Sequence, residues 1–226
     1  MVNIFTPKKD ADEQIFFPFG PVMGYKKLSP EFVKNMNSFY EEEPDLQDYS
    51  DNLVGKVGQE LHFNEAMRDL FLNEVKDFIG RYNQTATIRN SYGRNRLNTD
   101  NFEYSMQFVS GWLVRQFEHE YNPTHWHNGH ISGAGFLKVP KNFGDYSQKN
   151  QKIGKEYVGG NLNLIHGSKM FLSESLISLR PEVGDFYFFP NYLMHTVYPF
   201  KNTNEERRSI SFNGIIDESI HDIYFG

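Results

Sequence analysis

The sequence contains no cysteine among its 226 residues. This absence excludes disulfides, thiolate zinc sites, iron–sulfur clusters and cysteine nucleophiles, so any metal must be held by histidine, aspartate or glutamate. No stretch approaches the roughly 18 consecutive apolar residues of a membrane span, and the first residues lack an apolar run behind a basic end. We therefore expect a cytoplasmic protein with no membrane partner.

Positive charge is also scarce. The formal net charge is −6, and no run dense in lysine or arginine is present to form a nucleic-acid-binding patch. Aromatic residues are abundant instead, at 16% of the chain with 21 Phe and 13 Tyr, which excludes disorder and coiled coil as the main state. These features predict a globular domain that binds no nucleic acid.

Helical patterns occur first in the chain and strand patterns follow. Ser29-Pro30-Glu31 is a helix start that predicts a helix over 30–43, and apolar spacing predicts a second over 64–82, whereas residues 1–28 look irregular with room for one edge strand. Alternation of apolar and polar residues predicts strands over 106–120, 133–139, 161–165, 176–179, 185–190, 194–198 and 207–215. We expect one domain, 1–226, mainly β with N-terminal helices. Residues 1–83 would support a jelly roll formed by 84–226.

Three histidines are candidate metal ligands. His125 and His127 are separated by one residue, and in an extended strand such residues point to the same face and can reach one cation. Trp126 would then face away. His195 follows an aromatic strand about 70 residues later and is the candidate third ligand.

The last predicted strand carries an arginine beside hydroxyl groups. Alternation places Arg207, Ser209 and Ser211 on one face, and Arg208 on the outward face. An arginine inside a barrel is costly unless it meets an anion, and its planar fork suits a carboxylate. Alternation also places Gln116 and Asn213 toward the barrel interior.

The order of these residues resembles the Fe(II)/2-oxoglutarate-dependent oxygenases, and in particular a prolyl-hydroxylase-like subgroup of marine bacteria and phages. The resemblance covers about residues 105–215. It is carried by His125-x-His127, by Ser132–Pro140, by Gly159-Gly160-Asn161-Leu162, by Gly184-Asp185 through Phe189-Pro190-Asn191 to His195, and by Arg207-x-Ser209-x-Ser211-Phe212-Asn213. A phage-encoded member would act in the cytoplasm of its host.

The resemblance implies a double-stranded β-helix, a catalytic iron and the cosubstrate 2-oxoglutarate. By position, His125 and His195 would be iron ligands, Arg207 would bind the far carboxylate of 2-oxoglutarate, and Ser209 would assist it. Gln116 and Asn213 would line the same pocket. The implied reaction is hydroxylation of a C–H bond with release of succinate and CO2.

One position departs from the family pattern, because His127 stands where an aspartate or glutamate is usual. Three interpretations follow. His127 completes a three-histidine site; a carboxylate from elsewhere, such as Asp145 or Glu118, completes it; or one of the paired histidines is not a ligand. We favour the first because the spacing of His125 and His127 needs no further assumption.

Two other functions compete with this hypothesis. Three-histidine sites are typical of cupin-like iron oxygenases that use no 2-oxoglutarate, and a non-catalytic jelly roll could serve as a binding or structural module. The predicted loops 84–104 and 140–158 would form the substrate pocket walls.

Overall fold

We analysed a computed structural model, which describes residues 3–5, 12–16, 20–42, 48, 55–89, 106–144, 157–171 and 174–216. The helices are α1 (Pro30–Glu42) and α2 (Glu65–Arg89). The strands are β1 (Asn3–Phe5), β2 (Glu13–Phe16), β3 (Met23–Lys27), β4 (Gln59–His62), β5 (Met106–Gln116), β6 (Asn122–His125), β7 (Ile131–Lys138), β8 (Leu162–Ile165), β9 (Leu176–Leu179), β10 (Asp185–Pro190), β11 (Met194–Val197) and β12 (Arg207–Ile216). In the described part of the chain, neither helix is long and apolar enough to cross a bilayer.

The strands form two sheets. The major sheet has seven strands in the order β2-β3-β10-β7-β12-β5-β4, and the minor sheet has five in the order β1-β9-β8-β11-β6. All neighbours are antiparallel except β1 and β9. Sequence neighbours such as β10 and β11 lie in different sheets, as in a double-stranded β-helix. The predicted fold class is confirmed.

Strand β10 explains the unusually aromatic sequence Phe186-Tyr-Phe-Phe. Its side chains alternate between two cores. Tyr187 and Phe189 pack between the sheets, whereas Phe186 and Phe188 pack against the helices. The neighbouring strand β7 carries Gly135, where an added Cβ would collide with the Phe186 ring. Both faces of β10 are therefore buried, and this strand joins the sheets to the helical layer.

The helices cover the outer face of the major sheet. Ser29 caps α1, because its Oγ accepts the backbone N–H of Phe32 at 3.2 Å, and Asn64 caps α2 by accepting that of Met67 at 2.8 Å. The predicted apolar face of α2, including Phe71 and Phe78, packs in the core. Both predicted helices are confirmed, although α2 continues to residue 89.

The strands predicted from alternation are confirmed with one correction at an end. Strand β5 ends at Gln116 and not at residue 120, because Phe117 to Glu120 form a turn in which His119 has a φ of 65°. The Glu120 carboxylate accepts the Phe117 N–H at 2.8 Å and stabilises this turn.

The N-terminal segment contributes more strand than the sequence predicts. Strands β2, β3 and β4 extend the major sheet at its two ends, and β1 joins the minor sheet. These strands are three to five residues long, too short for alternation to be recognised. The division of the chain at residue 84 stays a prediction. The predicted pocket loops fall mainly on residues 90–105 and 145–156, which lie outside the described residues, as does Asp145.

Arg208 corrects another prediction, since this side chain is not outward. It is 3% exposed, donates to Asn37 Oδ1 at 2.8 Å and lies 4.2 Å from the centre of the Tyr40 ring. Helix α1 covers this face of β12, so a position that alternation places outside the barrel is still buried. Its charge is balanced by Glu206, with Nε to Oε1 at 2.8 Å.

Candidate active site

A cavity of about 420 Å³ opens between the two sheets. Its size is within the usual range for pockets that bind small ligands. Four alternate residues of β12 line it, as the sequence predicts: Arg207, Ser209, Ser211 and Asn213. Other lining residues are Val57, Glu60, Trp112, Val114, Gln116, His125, Trp126, His127, Phe189 and His195.

The three predicted histidines meet at one side of this cavity. His125 and His195 are directly opposite each other on β6 and β11, with ring centres 4.2 Å apart. His127 lies two residues beyond the end of β6, where Asn191 holds its backbone: the His127 N–H donates to Asn191 O at 3.0 Å, and Asn191 Nδ2 donates to His127 O at 2.9 Å. One potential ligand atom from each histidine lies within 4.8 Å of the other two. Trp126, between His125 and His127 in the sequence, is 66% exposed and lies at the opening of the cavity, where it is one of the lining residues.

Hydrogen bonds orient each imidazole so that its Nε2 atom is left for a ligand. Nδ1 faces Pro123 O at 2.7 Å in His125, Asn213 Oδ1 at 2.9 Å in His127, and Leu193 O at 2.9 Å in His195. A carbonyl oxygen can only accept, so the Nδ1 atoms carry the protons. This arrangement is typical of histidines that bind metal through Nε2.

The histidines also favour the neutral state. Burial, followed by the nearby His125, lowers the pKa of His127 to about 4, and burial lowers the pKa values of His125 and His195. With Nδ1 protonated and the rings neutral, two Nε2 lone pairs face each other 3.1 Å apart in His127 and His195. This contact is repulsive unless a cation lies beside it. Neighbouring ligands of an octahedral metal, with bonds of about 2.1 Å, are about 3.0 Å apart, so the donors present fit a divalent metal ion.

Of the two alternative carboxylates, Asp145 lies outside the described residues and Glu118 does not group with the histidines. Glu118 lies in the turn after β5, where its Oε2 accepts the backbone N–H of Asn202 at 3.0 Å, and its side chain is 40% exposed. Within the part of the chain that the structure describes, the histidines form the only group of three or more potential metal ligands.

Arg207 is a buried cation with no anionic partner among the described residues. It is 3% exposed, and no carboxylate of the described residues lies within 4.0 Å of it. Its Nε donates to Gly160 O at 3.0 Å, and its Nη1 donates to Gln116 Oε1 at 3.3 Å and to Ser209 Oγ at 3.2 Å. Burial lowers the pKa of the guanidinium to about 10, and the group still remains charged at neutral pH. An unpaired charge of this kind beside a cavity is suited to bind an anion.

The Gly-Gly sequence before β8 has a specific part in holding this arginine. Gly160 has a φ of 77°, which is in the region that favours glycine, and its carbonyl accepts the Arg207 Nε–H. Gln116 is also fixed, because its Nε2 donates to Glu120 O at 2.7 Å. The predicted residues Gln116, Arg207 and Ser209 thus form one hydrogen-bonded group, whereas Asn213 lies beside His127.

Trp112 and Glu60 are cavity residues that the sequence does not single out. The ring centre of Trp112 lies 5.2 Å from that of His127 inside the cavity. Glu60 was missed because β4 is only four residues long. Its alternation with the buried Leu61 is the one signal in the sequence that could have found it.

The fold and the site define a double-stranded β-helix with a candidate three-histidine metal centre. Residues 110–213 match the family model described as "Putative 2OG-Fe(II) oxygenase". Members of the family described by this model use Fe(II) and 2-oxoglutarate. The family resemblance seen in the sequence is therefore confirmed.

Solved structures show the same fold. A prolyl-4-hydroxylase from Pseudomonas putida is 12% identical with a TM-score of 0.52, covering 84% of this chain and 91% of its own. A prolyl hydroxylase from Trichoplax adhaerens, solved with a peptide fragment of hypoxia inducible factor, is 13% identical with a TM-score of 0.51, covering 94% and 86%. AviO1 from Streptomyces viridochromogenes is 11% identical with a TM-score of 0.50, covering 85% and 89%. A search of curated proteins found no match.

Proposed function

We propose that the protein is a 2-oxoglutarate-dependent hydroxylase with a three-histidine iron site. In this proposal His125, His127 and His195 hold Fe(II) through their Nε2 atoms. The observation that carries it is that all three Nδ1 atoms face an oxygen acceptor and two of the Nε2 atoms lie 3.1 Å apart. The bound iron would supply the activation of oxygen that hydroxylation requires.

Arg207 and Ser209 would bind the distal carboxylate of 2-oxoglutarate. Ser209 Oγ and Gln116 Oε1 each accept a hydrogen bond from Arg207 and keep its guanidinium directed along the cavity wall. This unpaired cation favours an oxygenase that binds a dianionic cosubstrate over one that uses no 2-oxoglutarate. The second kind of enzyme would leave a buried charge without a partner. Asn213 would fix the His127 ring.

The reaction would convert 2-oxoglutarate and oxygen to succinate and CO2 while it adds a hydroxyl group to the substrate. That substrate would be a small molecule or a peptide. The prolyl hydroxylase from Trichoplax adhaerens was solved with a peptide fragment, and the cavity here is large enough for the cosubstrate and a side chain.

Anaerobic titration with Fe(II) and 2-oxoglutarate tests this proposal. We expect a charge-transfer absorption band when both are present, and succinate after oxygen is admitted. The variant His127→Ala should lose the band. A protein that takes up Fe(II) but forms neither the band nor succinate would support the three-histidine oxygenase without 2-oxoglutarate. A protein that takes up no metal would support a non-catalytic jelly roll.

A further inference from the structure

The cavity contains a buried carboxylate that the metal and the cosubstrate do not use. Glu60 lies in the edge strand β4, is 9% exposed and lines the cavity. In the described part of the chain, no basic side chain lies within 4.0 Å of its carboxylate and no side-chain hydrogen bond satisfies it. Buried carboxylates are normally paired, so this one lacks a partner that a ligand could supply.

A second carboxylate strengthens the negative potential around Glu60. Asp48 Oδ1 accepts the backbone N–H of Glu60 at 3.3 Å. Burial first, and then the charge of Asp48, raise the pKa of Glu60 to about 7. A cation placed beside Glu60 would stabilise its ionised form.

Glu60 is also separated from the cation at the other side of the cavity. It pairs with Val114 of β5, which pairs with Ser209 of β12, so two strand spacings, about 10 Å, separate the backbones of Glu60 and Ser209. Arg207 is two residues further along β12. Of the residues that line the cavity, Glu60 and Arg207 are the only acidic and the only strongly basic ones in the described part of the chain. Glu60 would repel 2-oxoglutarate, so the cosubstrate is not its partner.

We propose that Glu60 binds a basic group of the substrate, an ammonium or a guanidinium, while Arg207 binds the cosubstrate. The substrate is then a free basic amino acid or amine, or a peptide with a basic side chain. This inference rests on the proposed function, because it takes the cavity as the place where substrate is hydroxylated.

Intrinsic fluorescence gives a direct test. The chain has two tryptophans, and both Trp112 and Trp126 line the cavity. Protein loaded with Mn(II) and N-oxalylglycine is titrated with L-lysine and L-arginine, with L-norleucine and L-citrulline as uncharged controls. A second arm compares Gly-Gly-Lys-Gly-Gly with the same peptide carrying norleucine. We expect the basic member of at least one pair to bind at least tenfold more tightly. The arm that shows the preference identifies the source of the basic group.

Variants distinguish the carboxylate from general electrostatics. Glu60→Gln keeps the size and an acceptor oxygen but removes the charge, and should abolish the preference for basic probes. Glu31→Gln removes the same charge from an exposed position on α1, and this variant should retain the preference for basic probes. Equal binding of basic and neutral probes, no binding of any probe, or a preference retained in Glu60→Gln would overturn the inference.

The Fe(II) and 2-oxoglutarate absorption band separates this result from the proposed function. The wild-type protein and Glu60→Gln should both form the band. If both proteins form the band but the wild type shows no preference for basic probes, only the proposed role of Glu60 is refuted. Its absence in the wild type refutes the proposed function.

Discussion

Replacing Arg207 with glutamine should remove most of the affinity for 2-oxoglutarate while the metal site remains intact. Arg207 lies on β12 and contacts Gly160, Gln116 and Ser209, and none of these groups is a metal ligand in our proposal. Glutamine retains a polar side chain but lacks the charge and the fork of the guanidinium.

The expected loss follows from the burial of the guanidinium. At 3% exposure, its pair with a carboxylate would be shielded from water. Truncating one partner of such a pair costs about 2–5 kcal/mol. A loss of about 3 kcal/mol weakens the dissociation constant roughly a hundredfold.

Thermal unfolding of the Mn(II)-loaded protein measures this loss without turnover. At a 2-oxoglutarate concentration of about 100 times the dissociation constant, the wild type should gain about 2.7 kcal/mol. For a chain of this size that corresponds to a rise in Tm of roughly 5–10 °C. At the same concentration the variant should gain only about 0.4 kcal/mol, a rise of about 1 °C.

The exposed Arg180 supplies a matched control. Arg180→Gln should keep the full wild-type shift in Tm. An equally large shift in Arg207→Gln would refute the assignment of this arginine to the cosubstrate. If, in addition, turnover did not require 2-oxoglutarate, the three-histidine oxygenase that uses no 2-oxoglutarate would be favoured.

Three further predictions concern the surroundings of the site. Asn213→Ala removes the acceptor of the His127 Nδ1–H and should weaken metal affinity about 10–100-fold; an unchanged affinity in a metal titration would show that this bond does not orient the ring. Glu206→Gln removes the close ion pair of the buried Arg208, leaves it only Glu41 at 3.9 Å, and should lower the free energy of unfolding by about 3–5 kcal/mol, whereas an unchanged urea midpoint would contradict the pairing. Burial alone would raise the pKa of Glu206, but hydrogen bonds from Arg208 and a second arginine lower it to about 2, from 4.5 in the unfolded chain. Because the unfolded state binds more protons between these values, stability should be complete above about pH 5 and fall by about 3 kcal/mol toward pH 2. The glutamine variant should show a flatter acid limb in urea unfolding, and an equally steep limb would refute this source of acid sensitivity.

Local alternation predicted the parts of the site that lie on long strands. Arg207, Ser209 and Asn213 share one face of β12, and that face lines the cavity. This strand is ten residues long, so the period of two is visible in the sequence alone.

Features that depend on distant segments could not be predicted. Alternation places Arg208 on the opposite face from Arg207, but only the packing of α1 decides that this face is buried. Glu60 lies on a four-residue strand whose place in the sheet is set by pairing with β5, which follows more than 40 residues later. His127 keeps its direction beyond the end of β6 because Asn191 holds its backbone. Each of these facts depends on a contact between residues far apart in the sequence.

A crystal structure of the protein with Mn(II) and N-oxalylglycine tests the central claim most directly. The account predicts that Nε2 atoms of His125, His127 and His195 all bind the metal at about 2.1–2.3 Å, and that the distal carboxylate of N-oxalylglycine lies on Arg207. A metal bound by a carboxylate of the protein in place of His127, or an N-oxalylglycine carboxylate held away from Arg207, would contradict it.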